Sequence, residues 1–151
     1  MDEVKIAQFR GDSTELPRLN ALIAQLSNSA PPLTHADLHR LLSAHGTTVF
    51  AAYAGKDLIG ILSLIIAIIP TGAKAYIEDV VVDEKYRGRG IARALTLKAI
   101  ARCNEMGVRM IDLTSRPDRI AANELYKNLG FQQRATNVYR LQLAGKSAPQ
   151  N

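Results

Sequence analysis

The sequence predicts one domain of mixed α/β class, in which a central mixed sheet is flanked by helices, and three observations carry that prediction. Strand-like and helix-like runs alternate along the chain. The stretch from Ala73 to Ser115 reads strand, helix, strand, which implies a right-handed crossover and a parallel pair. A chain of 151 residues that is 47% hydrophobic can bury one real core. No linker, repeat or low-complexity stretch divides it, so residues 1–151 are expected to form a single domain. The small, polar tail from Ala144 to Asn151 is expected to fray.

Val4 to Phe9 alternates apolar and polar residues and reads as a first strand, broken at Gly11-Asp12-Ser13. Leu16, Leu19, Leu22, Ile23 and Leu26 recur at three and four and predict a helix, with Pro17 tolerated because it falls in the first turn. Thr34 with Asp37 three residues on predicts a capped second helix carrying Leu38, Leu41 and Leu42. Thr47 to Tyr53 and Leu58 to Ile69 are β-rich and meet at the turn Ala54-Gly55-Lys56-Asp57, a hairpin. The second of these runs is almost wholly apolar but falls short of the ~20 residues a membrane helix requires. It reads as a central strand that could also meet a second copy of the chain, so a homodimer is among the expected assemblies. A strand from Ala73 to Val82 follows, then a helix from Ile91 to about Glu105 with Ile91, Leu95 and Ala99 inward and Ala94 and Leu97 beside them. Val108 to Ser115 reads as a strand, and Ile120, Ala121, Leu125 and Leu129 stripe a last helix that Ser115 or Asp118 can cap. A strand from Phe131 and another over Asn137 to Leu143 close the expected order.

The most informative stretch is Ile77 to Ala92, IEDVVVDEKYRGRGIA. A β-branched run passes through a charged turn into a helix, and Gly88 and Gly90 let the backbone come close to a ligand. The first N–H groups of that helix have no carbonyl partners, and the helix dipole adds positive charge where Arg87 and Arg89 already sit. A phosphate-bearing ligand fits there. It is not a dinucleotide of the Gly-x-Gly-x-x-Gly kind, because Arg93 stands where the third glycine belongs, and the Gly-Lys-Ser/Thr of a P-loop is absent.

What stands there instead, Arg87-x-x-Gly90-x-Ala92, resembles the acyl-CoA pyrophosphate loop of the GCN5-related N-acetyltransferases (GNAT). The order of elements agrees, and AANELYKNLGF is similar to the family's Ala-x-x-x-Tyr-x-x-x-Gly-Phe helix ending. The resemblance implies an acyl-CoA N-acyltransferase fold whose strands splay apart at the cofactor site. It implies acetyl-CoA as cosubstrate, held by backbone N–H groups of Arg87, Gly88, Arg89, Gly90, Ile91 and Ala92. Val82 would pair with the pantetheine arm, and the N–H near Val80 would polarise the thioester. Tyr126 is implied as the acid that protonates the departing thiolate, a core tyrosine being the competing reading. Glu78 is the candidate base, directly or through water, since an amine with a pKa near ~10 must lose a proton before it attacks. Strand alternation should turn Asp79 to the opposite face. Asn123 is a cofactor contact in this reading. Where the family often has an asparagine seven residues before the tyrosine this chain has Arg119, which could reach a CoA phosphate instead.

The expected function is therefore transfer of acetyl from acetyl-CoA to a primary amine by direct attack in a ternary complex, with a small-molecule acceptor ahead of a protein lysine or N-terminus. A catalytically silent acyl-CoA-binding module is the rival, and the retained Tyr126 and Glu78 argue against it. Net charge is +5 and the isoelectric point near 9.6, yet the arginines are dispersed and only 5% of residues are aromatic, so nucleic acid is not an expected partner. The single Cys103 excludes an intramolecular disulfide and suits a reducing compartment, and Asp2 and Glu3 sit where a signal peptide would be basic. A cytoplasmic protein with no membrane partner is expected. His35, His39 and His45 cluster in sequence without a cysteine, a Glu-His pair or a second ligand group beside them, so no metal is expected; that helix face and Tyr139 and Arg140 could line the acceptor side.

Overall fold

The computed structural model describes residues 3–11 and 13–144. The elements are β1 (Val4–Gln8), α1 (Leu16–Leu26), α2 (His35–Leu42), β2 (Thr47–Ala54), β3 (Asp57–Ile69), β4 (Gly72–Val82), a 3-10 turn (Glu84–Tyr86), α3 (Ile91–Glu105), β5 (Ile111–Asp112) and α4 (Ile120–Asn128). The chain forms two compact units, divided between Thr114 and Ser115. Asp12 and the tail beyond Ala144 lie outside the described residues.

The first unit holds a five-stranded sheet in the order β1-β2-β3-β4-β5, antiparallel except for the parallel pair β4–β5. Gly55 and Lys56 make the tight connection between β2 and β3, with Gly55 at positive φ. On one face, Leu16, Leu19 and Leu22 of α1 and Leu38 of α2 pack with Val49, Ala51, Ile61 and Val81. Thr34 caps α2 through a reciprocal box with Asp37, as the spacing predicts. On the other face lies α3, with Ile91, Leu95, Thr96, Ala99 and Cys103 buried and Leu97 39% exposed. Gly60 allows that close approach: a Cβ there would sit 3.0 Å from the Val81 carbonyl and 3.5 Å from a methyl of Leu95. Burial pushes the Cys103 thiol above its ordinary pKa, which suits a packing residue.

Two expectations about strands fail. Val108 to Ser115 supplies only the two-residue β5, and residues 131–144 form no strand although Asn137 to Leu143 alternates. Val138, Tyr139, Leu141 and Leu143 are all more than three-quarters exposed. Alternation marks a segment able to be half buried, but a strand exists only where a neighbour takes its N–H and C=O groups, and no such ladder reaches this segment. No helix among the described residues is long and apolar enough to cross a membrane.

Because Leu95 is fully buried between α3 and the sheet, Leu95→Ala should cost about 2–5 kcal/mol and lower the melting temperature by roughly 2–4 °C for each of them. Leu97→Ala on the same helix should stay within about 0.5 kcal/mol. Thermal or urea unfolding of the two variants checks the orientation of α3, and equal losses would contradict it.

Candidate active site

The site is built around the end of β4. On its β3 side β4 is paired from Gly72 to Val82, but on its β5 side only Ala75 and Tyr76 have partners, Ile111 and Asp112. Lys74 fastens that short pairing, its Nζ 3.0 Å from a carboxylate oxygen of Asp112 and 5.4 Å from the centre of the Tyr76 ring. Beyond Tyr76 no strand among the described residues pairs with the outer edge of β4.

A bulge lies in the same stretch. Glu78 pairs with Ser63 and Val81 with Ile61, so Asp79 and Val80 together stand against the single residue Leu62. Asp79 takes φ +50°, the only non-glycine residue at positive φ among those described. The alternation expected of Glu78 and Asp79 therefore does not run through this point, and both carboxylates are exposed. Beyond the bulge Val81 faces the α1 core and Val82 faces α3.

After Val82 the chain turns sharply. The Asp83 side chain caps the 3-10 turn by accepting from the Lys85 N–H at 2.9 Å. Gly88 and Gly90 take φ +73° and +75°, where a side chain would be strained, and open space surrounds both. Gly90 is the N-cap of α3 and offers no side chain to its first turn, whose earliest helical bond is Ala94 N–H to the Gly90 carbonyl. The amides before Ala94 are thus without a helical carbonyl partner. Lys85, Arg87, Arg89 and Arg93 are all exposed around them. Arg87 donates from Nε to the Val82 carbonyl at 3.0 Å, and Arg89 lies over the Tyr86 ring at 5.2 Å and donates to the Lys85 carbonyl. One lone pair of the Val82 carbonyl is therefore already taken.

Sequence reasoning missed Asp83, Arg18 and Gln25. Asp83 is almost completely buried and pairs with the Arg18 guanidinium of α1, which also donates to the Leu58 carbonyl at 2.8 Å. The Gln25 amide accepts from the Glu84 N–H at 3.0 Å and lies 3.4 Å from the Asp83 carboxylate. A signal was present: Arg18, buried Leu22 and Gln25 follow one helical stripe, so two polar residues flank an inward position. Burial pushes the Asp83 carboxyl up, but the Lys85 N–H, Arg18 and Gln25 together outweigh it and hold the carboxyl below its ordinary value.

Arg119, Asn123 and Tyr126 belong to the second unit. Arg119, not Ser115 or Asp118, is the N-cap of α4 and makes no side-chain cap. The Asn123 amide donates to the Arg116 carbonyl at 2.9 Å and holds the entry to the helix. At its other end Gly130, at φ +92°, donates to the Lys127 carbonyl and Phe131 to the Tyr126 carbonyl, a Schellman closure. That closure sets the Phe131 ring edge-on to Tyr126 with centroids 5.8 Å apart. Burial raises the Tyr126 pKa, partly opposed by Arg119, so the phenol stays protonated at neutral pH. His35, His39 and His45 are exposed, and among the described residues no group of three or more His, Cys, Asp or Glu could hold a metal ion.

Residues 17–131 match the acetyltransferase (GNAT) family, and the chain belongs to it. It is 29% identical over 106 residues to the L-amino acid N-acetyltransferase of Escherichia coli, a match covering 70% of this chain and 65% of that protein. The matched stretches span from 20% to 65% of the lengths of the curated relatives. Among solved structures, a protein from Agrobacterium tumefaciens superposes with a TM-score of 0.78 at 26% identity, over 93% of this chain and 99% of that one. The aminoglycoside N-acetyltransferase AAC(6')-Iy, solved in complex with CoA, shares the fold at a TM-score of 0.79 and 22% identity, over 94% and 96% of the two chains.

The depressed pKa of Asp83 has a definite sign. Its carboxylate stabilises the fold fully above the unfolded value of about 4, and that contribution is lost as pH falls through the lower folded value. Asp83→Asn should be less stable by about 1.5–3 kcal/mol near neutral pH, with the gap narrowing as pH falls below about 4. Urea unfolding of both proteins across that range checks it, and a gap independent of pH would contradict it.

Proposed function

We propose that the protein transfers the acetyl group of acetyl-CoA to a primary amine, by direct attack while both substrates are bound, and that the amine is a small molecule. The observation that carries this reading is the anion site after β4: unpartnered amides at the start of α3, two left-handed glycines and a ring of cations, on a chain of the acetyltransferase family. The small-molecule acceptor is supported by relatives named for amino acids and aminoglycosides.

In this reading the backbone N–H groups from Arg87 to Ala92 hold the pyrophosphate, and Arg87 and Arg89 add charge. The outer edge of β4 around Val82 receives the amide-bearing pantetheine arm as a strand would. The N–H near Val80, in the bulge, faces the thioester oxygen, and a donor so placed is typically worth about 2.7–4 kcal/mol. Glu78 takes the proton of the ammonium group, directly or through water, and frees the lone pair that forms the new N–C bond. As the C–S bond breaks, Tyr126 gives its proton to a thiolate whose conjugate acid has a pKa of ~8.5. Arg119 is available for a CoA phosphate, whereas the Asn123 amide already serves Arg116.

Thiol release from acetyl-CoA, measured against a panel of amino acids, amino sugars, polyamines and peptides, tests the reading. Turnover with peptides alone would favour the protein acceptor, and binding without turnover the silent module. Tyr126→Phe keeps the ring against Phe131 and removes the proton, so kcat should fall by roughly 100-fold while the melting temperature and acetyl-CoA affinity hold. A fully active variant would make Tyr126 a packing residue. Gly90→Ala should lower stability by about 1–2 kcal/mol through its positive φ and weaken acetyl-CoA binding by about tenfold in calorimetry. Unchanged affinity would remove the anion site from the mechanism.

A further inference from the structure

The anion loop has few restraints of its own. Its internal bonds are Tyr86 N–H to the Asp83 carbonyl at 2.8 Å, Lys85 N–H to the Asp83 carboxylate at 2.9 Å, a longer Arg87 N–H to the Glu84 carbonyl at 3.4 Å, and the two arginine side-chain bonds to backbone. Lys85, Arg87, Arg89 and Arg93 repel one another across it, and Gly88 and Gly90 leave its backbone free to turn elsewhere. What holds it comes from α1. Arg18 reaches the Leu58 carbonyl at the start of β3 and the buried Asp83 carboxylate, and Gln25 bridges Asp83 and the Glu84 N–H. The Asp83 N–H completes the clamp with a 2.8 Å bond to the Ile59 carbonyl.

We propose that Arg18 and Gln25 are positioning residues for cofactor binding: by clamping Asp83 and Glu84 to α1 and β3, they hold the loop from Arg87 to Gly90 in its anion-binding shape before any ligand arrives. The proposal rests on the acetyl-CoA reading. Neither residue needs to touch the ligand. Their contribution is the ordering that a free loop would otherwise undergo on binding.

Gln25 is exposed on α1, so Gln25→Met keeps length and helical preference and should fold. Calorimetry with coenzyme A and with S-acetylpantetheine, which lacks the pyrophosphate, is the test. Gln25→Met should weaken coenzyme A by about five- to tenfold, leave S-acetylpantetheine unchanged, raise the KM for acetyl-CoA by the same factor and move kcat by less than about twofold. Arg18→Met should lose more, and Arg18→Lys, which restores one charge to Asp83, should recover part of the loss. Equal coenzyme A affinity for wild type and Gln25→Met overturns the proposal. Equal weakening of both ligands also overturns it, because the residue would then support the fold and not the loop. A wild type that binds neither ligand overturns the acetyl-CoA reading itself, so the two failures are distinguishable.

Discussion

The structure depends on the unequal pairing of β4. One edge is bonded to β3 along the whole strand, while the other meets β5 at only two residues. A buried strand in a mixed sheet would ordinarily be paired on both sides, since unsatisfied amides and carbonyls in a closed interior are costly. Here the strand with the open edge leads, through the charged turn, into α3, where the chain also leaves helical amides unsatisfied. Two sets of free backbone groups, one from a strand and one from a helix, therefore end close together in sequence, separated by the charged turn. The core on both faces holds them in place: α1 and α2 on one side, α3 on the other, with Gly60 setting how closely α3 lies.

Most of this was legible in the sequence because the signals are local. The period of α1, the capping box at Thr34, the Gly55-Lys56 hairpin and the boundaries of α3 follow from spacing and turn chemistry. The turn from Arg87 to Ala92 was legible because two glycines after a β-branched run mark the break between strand and helix, and the Schellman end of α4 because Gly130-Phe131 follows a helical stripe. The C-terminal strands were not, since whether Asn137 to Leu143 pairs depends on a partner that no alternation pattern specifies. Leu97 is a smaller case of the same limit, apolar but outside the buried stripe.

The clamp from α1 lies between these cases. An arginine and a glutamine seven residues apart announce a shared helix face, but their partner Asp83 is some sixty residues away, and only the fold joins them. A buried carboxylate is stabilising here because its lone pairs are nearly all used: by the Lys85 amide, by Arg18 and by Gln25. With the ion pair satisfied, the remaining cations of the turn stay uncommitted to acidic neighbours and face outward.

The bulge at Asp79 and Val80 has a consequence for how this chain can change its length. Were either residue deleted, Glu78 and Val81 would still face Ser63 and Ile61, now with one residue opposite Leu62, and every flanking side chain would keep its side of the sheet. The shorter chain would lose the left-handed turn at Asp79 and gain an unbroken ladder. As a sheet it would be the better-made protein. The surplus residue is thus dispensable to the architecture, and what it supplies is an irregular edge, turned away from the ladder at the point where β4 has no neighbour. The single indel that folding would accept most readily in this strand is the one that would erase its irregularity.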